Sequence, residues 1–283
     1  MRDDIFAGIV LYNPNIKTLK RNIEAIKNQV SRIILIDNNS NNFYEISVLL
    51  EGFDSCSYIK LKQNFGIAKA LNTICEWALL NGAKWVLTLD QDSECRDSII
   101  DMYSHYLDQR DVGQITSLYM DRNFPDSLHN NRYEGVKEIE RCITSAALLN
   151  LTAWKDVNGF DEYLFIDAVD LDICLTMKEK GYRILEIGRI GFIHEIGCGN
   201  EKVIWGHRIK TWNHSPFRRY YSTRNNLIIA KKHHRSLLKA ILGILKHICI
   251  IFIFEDQKFQ KLEKAVEGIF DGFKYKVRAE ENL

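Results

Sequence analysis

An α/β sheet flanked by helices is the fold class this sequence predicts, and three observations predict it. Apolar runs of strand length alternate with stretches whose apolar residues recur at helical spacing. Several of the apolar runs end in polar residues, Asp37, Asn64 and Asp90 among them. The chain has 283 residues, 46% hydrophobic and 27% charged, which suits one large domain or one domain with an appendage.

The elements follow in order. "IFAGIVLY" (5–12) is a first apolar strand, closed by the turn signal "NPN". Residues 16–29 place apolar side chains at 16, 19, 23 and 26, a helical spacing. "RIILIDNNS" (32–40) is a second buried strand, and "YIKLKQN" (58–64) alternates like a third. "GIAKALNTICEWALLNG" (66–82) is a helix with Gly82 as its stop signal, and "KWVLTLD" is the next strand. The expected order of this half is β-α-β-β-α-β. Further on, a helix is expected over about 169–180, then two short strands in "YRILEI" and "IGFIH". Residues 214–235 are basic and aromatic, and 237–254 form a long apolar helix.

In such sheets the ligand crevice lies outside the carboxyl ends of the strands. That rule collects Tyr12, Asn13, Asp37, Asn38, Asn64 and the run Asp90, Gln91, Asp92 in one place.

Bulk properties narrow the class. A formal charge of +1 does not point to nucleic acid. Seven cysteines, odd in number and without a CxxC pair, argue against a disulfide framework or structural zinc and for a reducing cytosol. The N-terminal apolar run is too short for a signal peptide and reads as the first strand.

Four features carry chemistry. Asp90-Gln91-Asp92 is a D-x-D at a strand end; carboxylates so placed ligate a divalent cation or divide between a ligand and a sugar hydroxyl, and the alternative is a polar loop in which Asp92 or Ser93 caps the following helix. Residues 159–175 hold five acids, Asp161, Glu162, Asp167, Asp170 and Asp172, among large apolar side chains. Helix-dipole effects account for one or two of these, and proton transfer is the alternative for the rest. His194 ends a short apolar run, either as a hydrogen-bonded core histidine or as a ligand; imidazole beside carboxylates favours manganese over magnesium. "NFGIAKALN" offers Gly66 for close backbone approach and helix-start N–H groups for an anion or polar ligand. Neither G-x-G-x-x-G nor a P-loop is present.

"IVLYNP", "ILIDNNS", "NFGIAKALN", "LTLDQDS", "GFDEYLFIDAVDLDICL", "GFIHEIG" and "HSPFRRYYSTRNNLII" stand in this chain in the order seen in family 2 glycosyltransferases. They resemble most the rhamnosyltransferase branch of bacterial O-antigen and capsule synthesis, and the resemblance covers nearly the whole chain. It implies a GT-A fold, a Rossmann-like nucleotide-binding sheet with helices on both faces plus a C-terminal helical extension. It implies a transferase domain over 1–230 (nucleotide half 1–95, acceptor half 96–230) and an extension over 231–283. It further implies inverting transfer of L-rhamnose from dTDP-L-rhamnose to a glycan or lipid-linked acceptor. A UDP-hexose or UDP-galactofuranose donor is the near alternative, and a non-catalytic nucleotide-sugar binder the distant one.

By that likeness Tyr12, Asn13 and Asp37 line the base pocket, and Asn64, Gly66 and Asn72 shape the nucleotide site. Asp90 and Gln91 face the nucleotide sugar, and Asp90, Asp92 and His194 hold Mn2+ or Mg2+. Asp170 is the general base. Asp167 competes with it, three residues away and expected on the same helical face. Arg224 partners the diphosphate. Two departures bear on sugar specificity: Ser145-Ala146 stands where the family often has Ser-Gly, and Asp172-Ile173 and Thr176-Met177 replace the usual continuation of the acidic motif. A D-x-D phosphatase would place its nucleophile at the end of the first strand, where Tyr12-Asn13 stand.

The last long helix is interrupted by Lys239, Lys246 and His247, so a membrane span is not expected. Its apolar positions 241, 244, 245, 248 and 252 are expected to form one stripe. The stripe serves a core, a homodimer, or the anionic inner leaflet, and localisation is correspondingly cytoplasmic or peripheral on the inner membrane.

Overall fold

A computed structural model describes residues 3–122, 133–194, 200–204, 207–211 and 213–277, with the side chains of 200–204 and 207–211 outside the description. The chain forms two compact units, one of residues 1–165 and 169–195, the other of 166–168 and 196–283.

The first unit begins β1 (Ile5–Leu11), α1 (Ile16–Ile26), β2 (Arg32–Asp37), α2 (Phe43–Leu50), β3 (Cys56–Lys60), α3 (Ile67–Leu80) and β4 (Trp85–Asp90). β1 sits between β2 and β4 and is parallel to both; β3 extends the sheet beyond β2, also parallel. β1, β2 and β4 are almost wholly buried, as expected of parallel strands covered on both faces. Helix α2 was not among the expected elements. Only Ile46 of it is buried, while Phe43, Tyr44 and Val48 are exposed, so its sequence carries no helical stripe to read.

The unit continues with β5 (Glu94–Cys95), α4 (Ile99–Ser104), β6 (Val112–Asp121), β7 (Val136–Ile139), β8 (Ala147–Asn150), α5 (Leu151–Asp156), α6 (Val169–Glu179) and β9 (Arg183–His194). The sheet runs β3-β2-β1-β4-β8-β6-β9-β5, with β7 also on β9. β8 is antiparallel to β4 and β6, whereas β9 is parallel to β6. The two short strands expected over 183–194 are one strand. Its pairing with β6 slips around Ser117 and Leu118, so the chain bends there without leaving the sheet.

Gly8 of β1 marks where α3 lies closest to the sheet. A Cβ there would stand 2.1 Å from Ile74 Cγ2. The bare backbone at this position is what admits the Ile74 side chain.

The second unit holds the hairpin β10 (Asn200–Ile204) and β11 (His207–Thr211), then α7 (Pro216–Lys232), α8 (Leu237–Phe254) and α9 (Lys258–Lys274). Ser215 caps α7 by accepting from Arg218 N, and Pro216 occupies the first turn, where its missing N–H costs nothing. α7 packs along α9, with Gly268 and Gly272 against Tyr220, Thr223 and Leu227. Beneath these helices lies a buried charge cluster. Arg219 donates to both Glu255 oxygens, and Lys261 Nζ donates to Glu255 Oε2 at 2.9 Å and to Asn213 Oδ1. Glu255 and Lys261 side chains are each 2% exposed.

The stripe expected on α8 is not its buried side. Ile244 and Ile251 are buried, but Leu245 and Phe252 are exposed along with Leu238, Leu242 and Ile253. The packed side of α8 is narrow, because only one side of the helix faces its own unit.

Two stability predictions follow from these contacts. Gly8→Ala should lose about 1–3 kcal/mol in chemical denaturation, and combining it with Ile74→Ala, which removes the clashing Cγ2, should cost less than the two single losses added together. Glu255→Gln should cost about 3–5 kcal/mol, since it keeps the shape but leaves Arg219 and Lys261 without a counter-charge; urea titration of the two proteins measures it.

Candidate active site

The register of the parallel strands brings their carboxyl ends side by side. Leu11 pairs with Asp37, and Val10 pairs with Asp90. The loops after β1 and β2 are then stitched together. Asn13 N donates to Ser40 Oγ, and Asn41 N donates to Asn13 Oδ1, both at 2.8 Å. Asn13 takes a left-handed φ of 49°, which its short amide side chain tolerates. Tyr12 N donates to Gln91 Oε1 at 2.8 Å, and the Tyr12 ring is half exposed at this edge.

Asp37 is fully buried, and both its oxygens are engaged. Its Oδ1 accepts from Ser40 N and Oγ, and its Oδ2 accepts from Tyr58 OH at 2.8 Å. Burial, with the Asp37 carboxylate beside it, raises the Tyr58 phenol well above its ordinary pKa and keeps it a donor. Asn64 Oδ1 accepts from Gly66 N, and Asn38 spans Phe65 N and Gly66 O.

Gly66 departs from the reason the sequence offered. Its φ is +88°, and an added Cβ would stand 2.5 Å from Phe165 O. The close approach it permits is to this chain's own Phe165. The first helical N–H, of Ile67, is likewise taken by Phe165 O at 2.7 Å. Asn72 is also committed internally. Its amide donates to Phe160 O and Glu162 Oε1, and its oxygen accepts from Trp154 Nε1 and Phe160 N. Both donors and both acceptor sites of the amide are thereby filled, and the residue anchors the segment leading to the acidic motif.

Asp90, Asp92 and His194 meet where β4 and β9 end. His194 Nε2 lies 4.0 Å from Asp90 Oδ2, and Nδ1 lies 3.7 Å from Asp92 Oδ1. One ligand atom from each falls within 4.8 Å of the others. Two carboxylates and an imidazole are the donor set a hard or borderline divalent cation takes, and they fit Mn2+ or Mg2+. His194 is placed here by β9, which pairs with β5 (Glu94 opposite Ile193) directly after the D-x-D loop.

One supporting residue, Asn22, escaped the sequence reading, and for a second, Ser93, that reading offers only a helix cap. Asn22 Nδ2 donates to Asp90 O at 2.7 Å and holds the end of β4. Its signal was a polar residue beside the apolar stripe of α1, and it is buried. Ser93 Oγ touches Ser145 Oγ and lies 3.5 Å from His194 Nδ1, whereas the N-cap of the following helix is Ser98. Ala146 follows at φ +54°, a backbone state that glycine adopts without strain, and its carbonyl accepts from Tyr103 OH.

The five acids of 159–175 do not act as one group. Asp161 caps the 3₁₀ turn Glu162–Leu164, and Glu162 pairs with Lys69 at 3.1 Å. Asp170 stands in the first turn of α6, its Oδ1 accepting from Leu171 N, and Asp172 is buried two residues on. Asp167 is not on that helix, contrary to expectation. Helix α6 begins at Val169, and Asp167 has φ +64°. Phe165 and Ala168 are left-handed too, so three of four consecutive residues hold a conformation costing about 1–2 kcal/mol each.

In the second unit, Asn225 Nδ2 donates to the carbonyls of Ile166 and Asp167, and Arg218 grips both Asp167 oxygens. Asp167 borders a cavity of about 240 Å³ lined also by His214, Arg219, Thr223, His247 and Glu255. Burial, with Arg218 nearby, pushes His214 down to about 4, so the imidazole is neutral at pH 7. Arg224 lies in this unit, buried, its guanidinium over the rings of Tyr220 and Tyr221 and its Nε donating to Asn225 Oδ1.

Comparison with known proteins bears on the family and the fold. Residues 7–152 match the profile described as glycosyl transferase family 2. The chain is 29% identical to the dTDP-rhamnosyl transferase RfbF of Shigella flexneri, over 97% of each chain. Among solved structures it resembles S. aureus TarS 1-349, with TM-score 0.62 and 12% identity over 95% of this chain and 80% of that one. It also resembles the mannosyltransferase PcManGT from Pyrobaculum calidifontis, solved with GDP-Man and Mn2+, with TM-score 0.60 and 13% identity over 98% and 77%. At such identities the structural likeness speaks to the fold, which is GT-A. The family match spans more than half of the residues, including the strand ends and the D-x-D loop: the chain belongs to glycosyl transferase family 2 and is a glycosyltransferase.

Proposed function

We propose that this glycosyltransferase moves L-rhamnose from dTDP-L-rhamnose, with inversion, onto a glycan or lipid-linked saccharide in bacterial surface-polysaccharide synthesis, in the cytoplasm. The observation that carries the reading is the convergence of Asp90, Asp92 and His194 at the carboxyl ends of parallel strands. The rhamnosyl donor is supported by likeness to the Shigella flexneri protein along nearly the whole of both chains.

Geometry and charge support the following roles. Tyr12 and Asn13, on loops fixed by Gln91 and Ser40, flank the base above the Asp37 floor. Asn64 and Gly66 shape that pocket through the backbone they hold. Asp90, Asp92 and His194 would hold the cation, which when bound offsets the charge of the departing diphosphate. For Arg224 as diphosphate partner the support is the motif "YYSTRNN".

In the displacement, the acceptor oxygen bonds to the anomeric carbon while the bond from that carbon to the diphosphate breaks. The acceptor's hydroxyl proton passes to a carboxylate, and the nucleoside diphosphate leaves with the electron pair. No covalent enzyme intermediate is needed for inversion. Asp170 is the carboxylate of choice. Asp167 has both oxygens engaged by Arg218, so a proton from the acceptor would have to compete with that bidentate contact.

Thermal-shift screening of dTDP-rhamnose, UDP-galactose and UDP-GlcNAc, with and without Mn2+, should give the largest shift with dTDP-rhamnose. A larger, Mn2+-dependent shift with a UDP-sugar would move the reading to that donor. In Mn2+ titrations followed by electron paramagnetic resonance, Asp92→Asn and His194→Ala should each weaken binding by more than about tenfold. Asp170→Asn should slow transfer by about 10²–10⁴-fold while donor affinity is kept. If Asp167→Asn does so instead, the base is Asp167.

A further inference from the structure

α8 is amphipathic in the reverse of the usual sense. Ile244 and Ile251 face its own unit, and Ile244 lines the cavity shared with Arg219 and Thr223 of α7. On the other side Leu238, Leu242, Leu245 and Phe252 are each half exposed or more. At 100° per residue these four, with Ile241, Ile248 and Ile253, occupy an arc of about 140°. Eighteen residues of such composition are long and apolar enough to cross a membrane. However, a helix packed on one side along its own unit, and carrying Lys239 and Lys246, is suited to lie at a surface.

The charges decide what the arc meets. From Lys231 to Phe254 the chain has five Lys or Arg and no Asp or Glu. Lys239 and Lys246, both exposed, lie seven residues apart and therefore along one edge of the arc. Against a second α8 they would meet lysine or isoleucine, never an acid, in either orientation. The apolar arc is also wider than the two-position seam of a helix pair. Anionic headgroups complement that edge, and the acyl boundary complements the arc.

We propose that α8 docks this protein on an anionic bilayer surface, lying in the interface plane with Leu238, Leu242, Leu245 and Phe252 inserted and Lys239 and Lys246 at the headgroups. The inference goes beyond the sugar chemistry and stands apart from it. A lipid-linked acceptor would be confined to the same surface.

Flotation of the full chain with vesicles, without nucleotide sugar, tests this. Vesicles of phosphatidylglycerol and phosphatidylcholine should carry at least tenfold more protein than phosphatidylcholine alone, and the excess should fall as salt rises. The exposed-site variant Leu238→Glu/Leu242→Glu/Leu245→Glu should lose binding while keeping its melting profile and Mn2+ affinity. Lys239→Glu/Lys246→Glu should lose the preference for phosphatidylglycerol. Absence of wild-type flotation, or flotation unchanged in the leucine variant, overturns the proposal. A wild-type dimer that the leucine variant turns into a monomer, with no vesicle binding by either, overturns it in favour of a second copy. Resistance to release by alkaline carbonate overturns it in favour of a spanning helix.

Discussion

The parallel ladder β2-β1-β4 is the constraint on which the site depends. Its register sets Leu11 beside Asp37 and Val10 beside Asp90, so three loops leave the sheet at one edge. No loop chemistry could gather Asn13, Asp37 and Asp90 without that alignment. The alignment in turn needs close cover: the bare Gly8 backbone lets Ile74 of α3 sit against the sheet. Asn22 of α1 reaches under the end of β4 and holds the Asp90 carbonyl. The packing that buries the strands is thus the packing that aims the carboxylates.

Polar residues near this edge divide by what they face: the chain's own loops, or one another across the strand ends. Asp37 is engaged by Ser40 and Tyr58, and Asn72 by the 154–162 segment. Such satisfied buried groups stiffen a loop and are costly to remove. Asp90 and Asp92 face the His194 imidazole at 4.0 and 3.7 Å. Two carboxylates held near each other repel, and a bound cation turns that repulsion into attraction. The strained run from Phe165 to Ala168 is a second sign of constraint, because left-handed non-glycine residues persist only where neighbours fix them.

The second unit rests on a different balance. Arg219, Glu255 and Lys261 are buried together, and their mutual pairing offsets the cost of desolvation. That cluster joins α7 to the α8–α9 corner, while α8 contributes little apolar burial of its own. The helix richest in leucine and isoleucine is therefore the one least used by the core, the opposite of what its composition alone implies.

Periodicity and turn residues by themselves determined the α/β class, the strands β1, β2 and β4, the helices α1, α3 and α6, and the polar character of the strand ends. Those signals are local: a buried parallel strand is a continuous apolar run, and a packed helix has a stripe. The order of motifs added the family. Tertiary structure alone decided the rest. It made α2 a helix without a stripe and joined two expected strands into β9. It gave Gly66 to Phe165 and Asn72 to Trp154 and Phe160, and it separated Asp167 from α6 by a left-handed backbone. It also turned the apolar face of α8 outward. Each of these depends on partners tens of residues away, and a side chain's partner, unlike its periodicity, is not written in its neighbours.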